Sequence, residues 1–120
     1  MGLIELEAKI VERNIETPSV ITLKCDTENK FDYLPGHYIG IDLRNNLSEY
    51  QMIKAFSLAS SPTELPYILI SFKKGDSPFK KKLESLKVGD KIKIKGPYGR
   101  FLLQNDLSKN AVMIAGGIGI

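Results

Sequence analysis

The sequence has no tryptophan, one histidine and one cysteine among its 120 residues. A single thiol excludes an internal disulfide, and one histidine with one cysteine offers no metal cage, so no metal is expected. Cys25 reads as a buried strand residue, because a free cysteine behaves as a small hydrophobe. Apolar runs are short. None approaches the roughly 20 residues of a membrane span, since proline, glycine or charge interrupts each, so no membrane is expected. The N-terminal stretch "MGLIELEAKI" lacks the basic start of a secretory signal and carries acids instead. Leu6 stands where a myristoylation motif needs Ser or Thr. These absences give the expectation of a soluble, cytoplasmic protein. A large charge imbalance is missing too: 17 basic against 14 acidic residues leave +3, too little to imply nucleic acid on its own.

What is present is enough for one core. At 42% hydrophobic and 26% charged the composition is that of a folded globular chain. "ELEAKIVERNIETPSVITLKCD" reads as two strands about a turn at Glu16–Ser19, with Ile21, Leu23 and Cys25 on one face. Pro35-Gly36 marks a turn before a strand from Tyr38 to Leu43. "AFSLAS" is a short strand ended by Pro62, and "PYILISFKK" is so continuously apolar that it reads as buried on both sides. One helix stands out in "GDSPFKKKLESLKVGD". Ser77 or Asp76 caps it, Pro78 fits its first turn, Phe79, Leu83 and Leu86 share a face, and Gly89 stops it. "DKIKIKG" alternates, with Ile92 and Ile94 inward and lysines outward. "NAVMIAGGIGI" differs: a buried strand running into glycines, as at the start of an α/β unit.

The expected fold is therefore all-β: a six-stranded antiparallel Greek-key barrel with one capping helix. To it is added the first strand of an α/β nucleotide-binding domain that the chain does not contain. The expected division is a barrel domain over 1–109 and a truncated strand and glycine turn over 110–120.

Lys54-Ala55-Phe56-Ser57 sets cation, ring and hydroxyl in a row, a grouping that strand formation does not require. Such a row suits a flat, phosphorylated ligand, although a strand with a surface lysine at its end is the plain alternative. Lysines cluster at Lys73, Lys74, Lys80, Lys81, Lys82 and Lys87 and alternate at Lys91, Lys93 and Lys95. They read mainly as a solvated, edge-protecting face, with a phosphate or an acidic partner as the sharper alternative.

Taken in order, "PGHY", "KAFSLAS", "GPYGRF" and "AGGIGI" resemble the flavin-binding barrel of the ferredoxin-NADP reductase superfamily, over essentially the whole chain. The family's flavin signature is Arg-x-Tyr-Ser/Thr. The resemblance implies FAD, with FMN as the other possibility, and NAD(P)H acting through the absent domain. It implies Lys54 near the phosphates, Ala55 and Phe56 against the cofactor, and Ser57 as the catalytic hydroxyl at flavin N5. Lysine lacks arginine's planar fork and phenylalanine lacks the tyrosine hydroxyl, so looser binding is expected. The resemblance also implies backbone contacts at Phe72 and Lys73, and a phosphate contact over Gly75, Ser77, Pro78, Phe79 and Lys80 at the helix start. Lys80 replaces a usual Ser or Thr, exchanging a hydroxyl for a charge. His37 replaces a usual Gln and is given no role. "GPYGRF" reads as a structural turn. Gly116, Gly117 and Gly119 match the pyridine-nucleotide turn, as a remnant rather than a working site. The implied partners are a C-terminal NAD(P)-binding domain and an acidic electron carrier. Two rival readings are a small basic barrel binding oligonucleotides and a barrel that has lost its cofactor.

Overall fold

The structure, a computed structural model, describes residues 2–45, 49–103, 106 and 108–116. Six strands form in chain order: β1 (Ile4–Thr17), β2 (Val20–Asp26), β3 (Tyr38–Asp42), β4 (Ile53–Ser57), β5 (Tyr67–Lys73) and β6 (Lys91–Tyr98). Among the described residues one α-helix, α1 (Pro78–Ser85), forms, between β5 and β6. Every strand pairing is antiparallel, in the order β4-β3-β6-β1-β2-β5.

The two end strands, β4 and β5, share no ladder. They meet just beyond β4, where the Ala59 N–H donates to the Leu69 carbonyl at 2.8 Å. With that contact the sheet curls into a barrel left open along one seam. β6 returns beside β3 after the run β3-β4-β5, which is the Greek-key order expected.

Period-two burial explains why these segments are strands. Ile21, Leu23 and Cys25 of β2 and Ile92 and Ile94 of β6 are all buried, as the alternation predicted. Each such side chain contributes about 1.5–3 kcal/mol through burial. Phe79 and Leu83 of α1 close the barrel end, and Leu86 packs against the same core.

Four expectations need correction. β5 buries Ile68, Ile70 and Phe72 but leaves Leu69 and Ser71 half-buried, so only one face is covered, because β5 is a terminal strand with a thin outer layer. β4 begins at Ile53 and ends at Ser57, since its partner β3 starts at Tyr38, the residue opposite Ser57, and nothing remains to pair with Leu58. α1 ends at Ser85, not at Gly89: Leu86 turns extended to reach the core, and Gly89 instead serves a separate turn at φ +98°. Residues 111–116 carry no strand and are exposed. A strand needs a hydrogen-bonding neighbour, and no described element offers one there.

The turn residues behave as the composition suggested. Gly36 has φ +100°, and a Cβ there would lie 1.8 Å from the Phe101 carbonyl oxygen, so only glycine lets these backbones meet. His37 closes the same turn. Its Nδ1 accepts the Leu34 N–H at 2.9 Å, and its own N–H donates to the Leu34 carbonyl. That is a structural assignment for the one histidine.

Candidate functional site

β4 is the one strand that buries no side chain fully, although three of its five residues are apolar. The register explains which way each points. Residues directly opposite across an antiparallel pair share a face. Lys54 faces Ile41 and Phe56 faces Ile39, both of which are core residues, so Lys54 and Phe56 point to the barrel side. Ser57, opposite Tyr38, and Ala55, opposite Gly40, point outward. The row of three therefore splits across two faces. One ligand can touch Lys54, Phe56 and Ser57 together only by lying along the free edge of β4, which is the edge the seam leaves open.

Each member is placed differently. Phe56 stacks on Phe79 with ring centroids 5.8 Å apart and planes inclined by 21°. Phe56 remains partly exposed, whereas Phe79 is 1% exposed. The Phe79 side chain is thus a strut beneath Phe56, and only its backbone can face a ligand. Among the described residues neither the Lys54 ammonium nor the Ser57 hydroxyl has a polar partner, and both are exposed. A cation and a hydroxyl without protein partners beside an unpaired strand edge fit a ligand carrying phosphate at one end and a polar ring at the other.

The opposite lip of the seam is β5 and the start of α1. Phe72 is buried and Lys73 exposed. The Ser77 hydroxyl accepts the Lys80 N–H at 3.2 Å, capping the helix as predicted, while the Lys81 N–H donates to the Ser77 carbonyl at 2.9 Å. Pro78 has no N–H, so of the first helical amides only that of Phe79 is left for an anion. Lys80 folds back over Gly75, whose Cβ position would lie 3.3 Å from the Lys80 side chain, and its ammonium donates to the Lys73 carbonyl at 2.8 Å. The charge of Lys80 therefore sits at the end of β5, on the same lip as Gly75. Gly116 is described and exposed, with open space around it, whereas Gly117 and Gly119 lie outside the described residues.

The remaining lysines are mostly engaged. On the outer face Glu5 lies opposite Lys95 and Glu7 opposite Lys93, and the Lys93 ammonium is 3.7 Å from Glu5 Oε1. Lys82 donates to the Leu43 carbonyl and to Asn45 Oδ1, both at 2.9 Å, tying α1 to the loop after β3. Lys74 and Lys81 pair with Glu84 and Asp76. Tyr98 stacks on Tyr38 at 5.5 Å. With Tyr98 already stacked and Lys93 already paired, β6 does not offer the open stacking platform that an oligonucleotide surface uses. Sequence reasoning had no means of finding this, because the glutamates that match these lysines lie some ninety residues away. On the same face Arg44 grips Asp42 at 2.7 and 3.0 Å and holds its carboxyl below the usual carboxylate range.

A separate apolar cleft of about 630 Å³ is lined by Pro35, Gly36, Phe101–Leu103 and 110–113. It shares no residue with β4 or α1. Its rim is unusually apolar for a surface, with Phe101 83%, Val112 86% and Met113 71% exposed.

The family profile of the oxidoreductase FAD-binding domain matches residues 7–102, and the chain belongs to that family. It is 28% identical over 118 residues to the phenol hydroxylase P5 protein of Acinetobacter pittii, covering 97% of this chain and 32% of that protein. It is 36% identical over 89 residues to the flavohemoprotein of Bacillus subtilis, covering 74% of this chain and 22% of the relative. Among solved structures, a ferredoxin-NADP+ reductase from Plasmodium falciparum superposes with a TM-score of 0.71 at 26% identity, over 85% of this chain and 41% of that one. The fold is that of the ferredoxin reductase-like FAD-binding barrel. The chain spans about a third or less of the length of these two curated relatives. Among the described residues no helix is long and apolar enough to cross a membrane.

Proposed function

We propose that this chain is the flavin-binding domain of an NAD(P)H-dependent oxidoreductase, and that the seam between β4 and β5 is where FAD lies. The observation that carries the reading is the open seam itself. One lip presents Lys54 and Ser57 without protein partners, and the other presents Gly75, Lys80 and the Phe79 amide. In this reading Lys54 and Lys80 offset the charge of the pyrophosphate from opposite lips. Phe56, braced by Phe79, gives an apolar surface to the ring, and the Ser57 hydroxyl orients the redox nitrogen. When bound, the flavin supplies the redox chemistry, taking hydride from a nicotinamide and passing electrons on. The protein's part is to hold the ring along the β4 edge, match the phosphate charge and place one hydroxyl.

The chemistry of the donor set fits FAD but with less grip than the Arg-x-Tyr-Ser signature offers. Lys54 is a point charge rather than a fork, and the capping of α1 leaves one helix amide for phosphate. Residues 110–120 are the start of a following NAD(P)-binding domain in this reading, and the apolar cleft around Phe101 and Val112 is the surface it covers. An acidic electron carrier as acceptor finds its support in the exposed Lys73 more than in β6, where Lys93 and Lys95 face glutamates.

Loading the purified chain with FAD or FMN tests the proposal. The expected result is yellow protein that keeps its flavin through gel filtration, with a melting temperature that rises with flavin concentration. Failure of both flavins to bind or to raise the melting temperature overturns it and leaves a barrel without cofactor.

A further inference from the structure

The seam beside β4 is open along its length but pinned at one end, and the pin is part backbone and part side chain. Ala59 N–H donates to the Leu69 carbonyl at 2.8 Å, as a ladder rung would. The next rung is not backbone at all: the Leu69 N–H donates to Ser60 Oγ at 3.0 Å. Ser60 Oγ in turn lies 2.9 Å from the Tyr33 hydroxyl. Tyr33 comes from the loop before β3, is 1% exposed, and stacks on Phe31 at 5.7 Å. A serine oxygen thus stands where a strand carbonyl would accept, and a buried phenol fixes where that oxygen sits. Beyond this point no bond joins β4 to β5 among the described residues. Only Leu58, partly buried against the core, separates the pin from Ser57.

The geometry is that of a hinge pin for one lip. Backbone held at Ala59 and Ser60 fixes the direction in which β4 leaves the seam, and hence the width of the gap at Phe56 and Ser57. Without it the end of β4 is free to zip onto the unpaired edge of β5, which would close the gap, or to swing away from it. We propose that Tyr33 and Ser60 are positioning residues: they set the spacing and tilt of the β4 edge and through it orient Phe56 and Ser57 toward the flavin. This role rests on the flavin reading above. Neither residue belongs to the Lys-Ala-Phe-Ser row, and Tyr33 is 24 residues from Ser57 in the chain.

Tyr33→Phe keeps the buried ring and removes the hydroxyl, Ser60→Ala removes the oxygen that joins both partners, and Ser60→Thr keeps it. Thr27→Val is the control, since it deletes a different side-chain hydrogen bond of similar burial, from Thr27 Oγ1 to the Pro66 carbonyl at 2.6 Å. The first two variants are expected to weaken FAD about five- to tenfold and to alter the visible circular dichroism of the bound flavin, with Ser60→Thr restoring both. Thr27→Val is expected to lower the melting temperature comparably while leaving flavin affinity and spectrum unchanged. Amide hydrogen exchange gives a reading that needs no flavin: at Ala59 and Leu69 it should accelerate at least tenfold in Ser60→Ala while β6 stays protected. Tyr33→Phe and Ser60→Ala with wild-type flavin affinity and spectrum overturn the orienting role. Unchanged exchange at Ala59 and Leu69 overturns the pin itself. A wild-type chain that takes up no FAD overturns the flavin reading and the orienting role together, and the exchange result still decides the pin.

Discussion

β6 and β4 both set lysine beside apolar residues, and both flank β3, yet they end in opposite states. In β6 every inward residue from Ile92 to Gly96 is buried, and two of its outward lysines face glutamates of β1. In β4 nothing is fully buried, and its lysine points toward the barrel side with no partner among the described residues. The difference comes from neighbours. β6 lies between β3 and β1 in the sheet, so its backbone is paired on both sides and its inward side chains are covered. β4 ends the sheet, and its free edge is answered only beyond Ser57. A charged strand is structural where the protein supplies its counterparts and a binding edge where it does not.

Mutation of an inward residue on each strand should separate the two most sharply. Ile94→Ala, in the β6 core, is expected to cost 2–5 kcal/mol, roughly the usual loss for a buried isoleucine, read by urea unfolding. The surviving folded fraction should bind FAD as the wild type does. Phe56→Ala should do the reverse. Its ring is half-exposed, so the stability loss should stay near ~1 kcal/mol, while FAD affinity falls about thirtyfold through the lost ring surface. If Phe56→Ala proves as destabilising as Ile94→Ala, β4 is an ordinary core strand and the contrast fails.

The inner face of the barrel carries a pH signature of its own. Burial pushes the Cys25 thiol up to about 12 from 9.0. The unfolded thiol loses its proton above pH 9 while the folded one keeps it, so the stability this group contributes is whole below pH 9 and is lost as pH rises toward 12. Between pH 9 and 10.5 the loss should reach about 2 kcal/mol, and Cys25→Ala should flatten that limb relative to the wild type. An identical alkaline slope in both proteins would place the titration elsewhere.

How much of this was legible beforehand varies with the range of the interaction that decides it. Alternation in β2 and β6 and the Ser77-Pro78 start of α1 are set within a few residues, and the structure bears them out. The stop of α1 at Ser85 was missed because Leu86 is drawn out by the core, a contact no local rule contains. The row from Lys54 to Ser57 was visible as a group, but its division across two faces depends on register with β3. Ser60 and Tyr33 carried no signal of their own: a serine at the end of a short polar run and a tyrosine 27 residues earlier acquire meaning only when the barrel sets Ser60 Oγ between the Leu69 N–H and the Tyr33 hydroxyl. Exposed Val112 to Ile114 reads as a core strand by composition, and composition cannot supply the neighbouring strands that would bury it.

Lysine substitutions give the finest test, because they change charge without touching the core. At Lys54 the alanine variant should leave stability within about 0.5 kcal/mol of wild type, as surface changes usually do, and weaken FAD about tenfold. Lys54→Arg should tighten FAD severalfold, because the guanidinium grips phosphate with two parallel bonds where the ammonium offers one point charge. At Lys93 the alanine variant should leave FAD affinity untouched and cost at most about 0.5 kcal/mol, since its pairing with Glu5 at 3.7 Å is half-exposed and screened by water. Raised salt should weaken FAD binding to the wild type more than to Lys54→Ala, because only the former has that cation to screen. Equal salt sensitivity in the two, or a loss of FAD in Lys93→Ala matching that in Lys54→Ala, would mean that the lysines act through overall charge and that β4 holds no privileged cation.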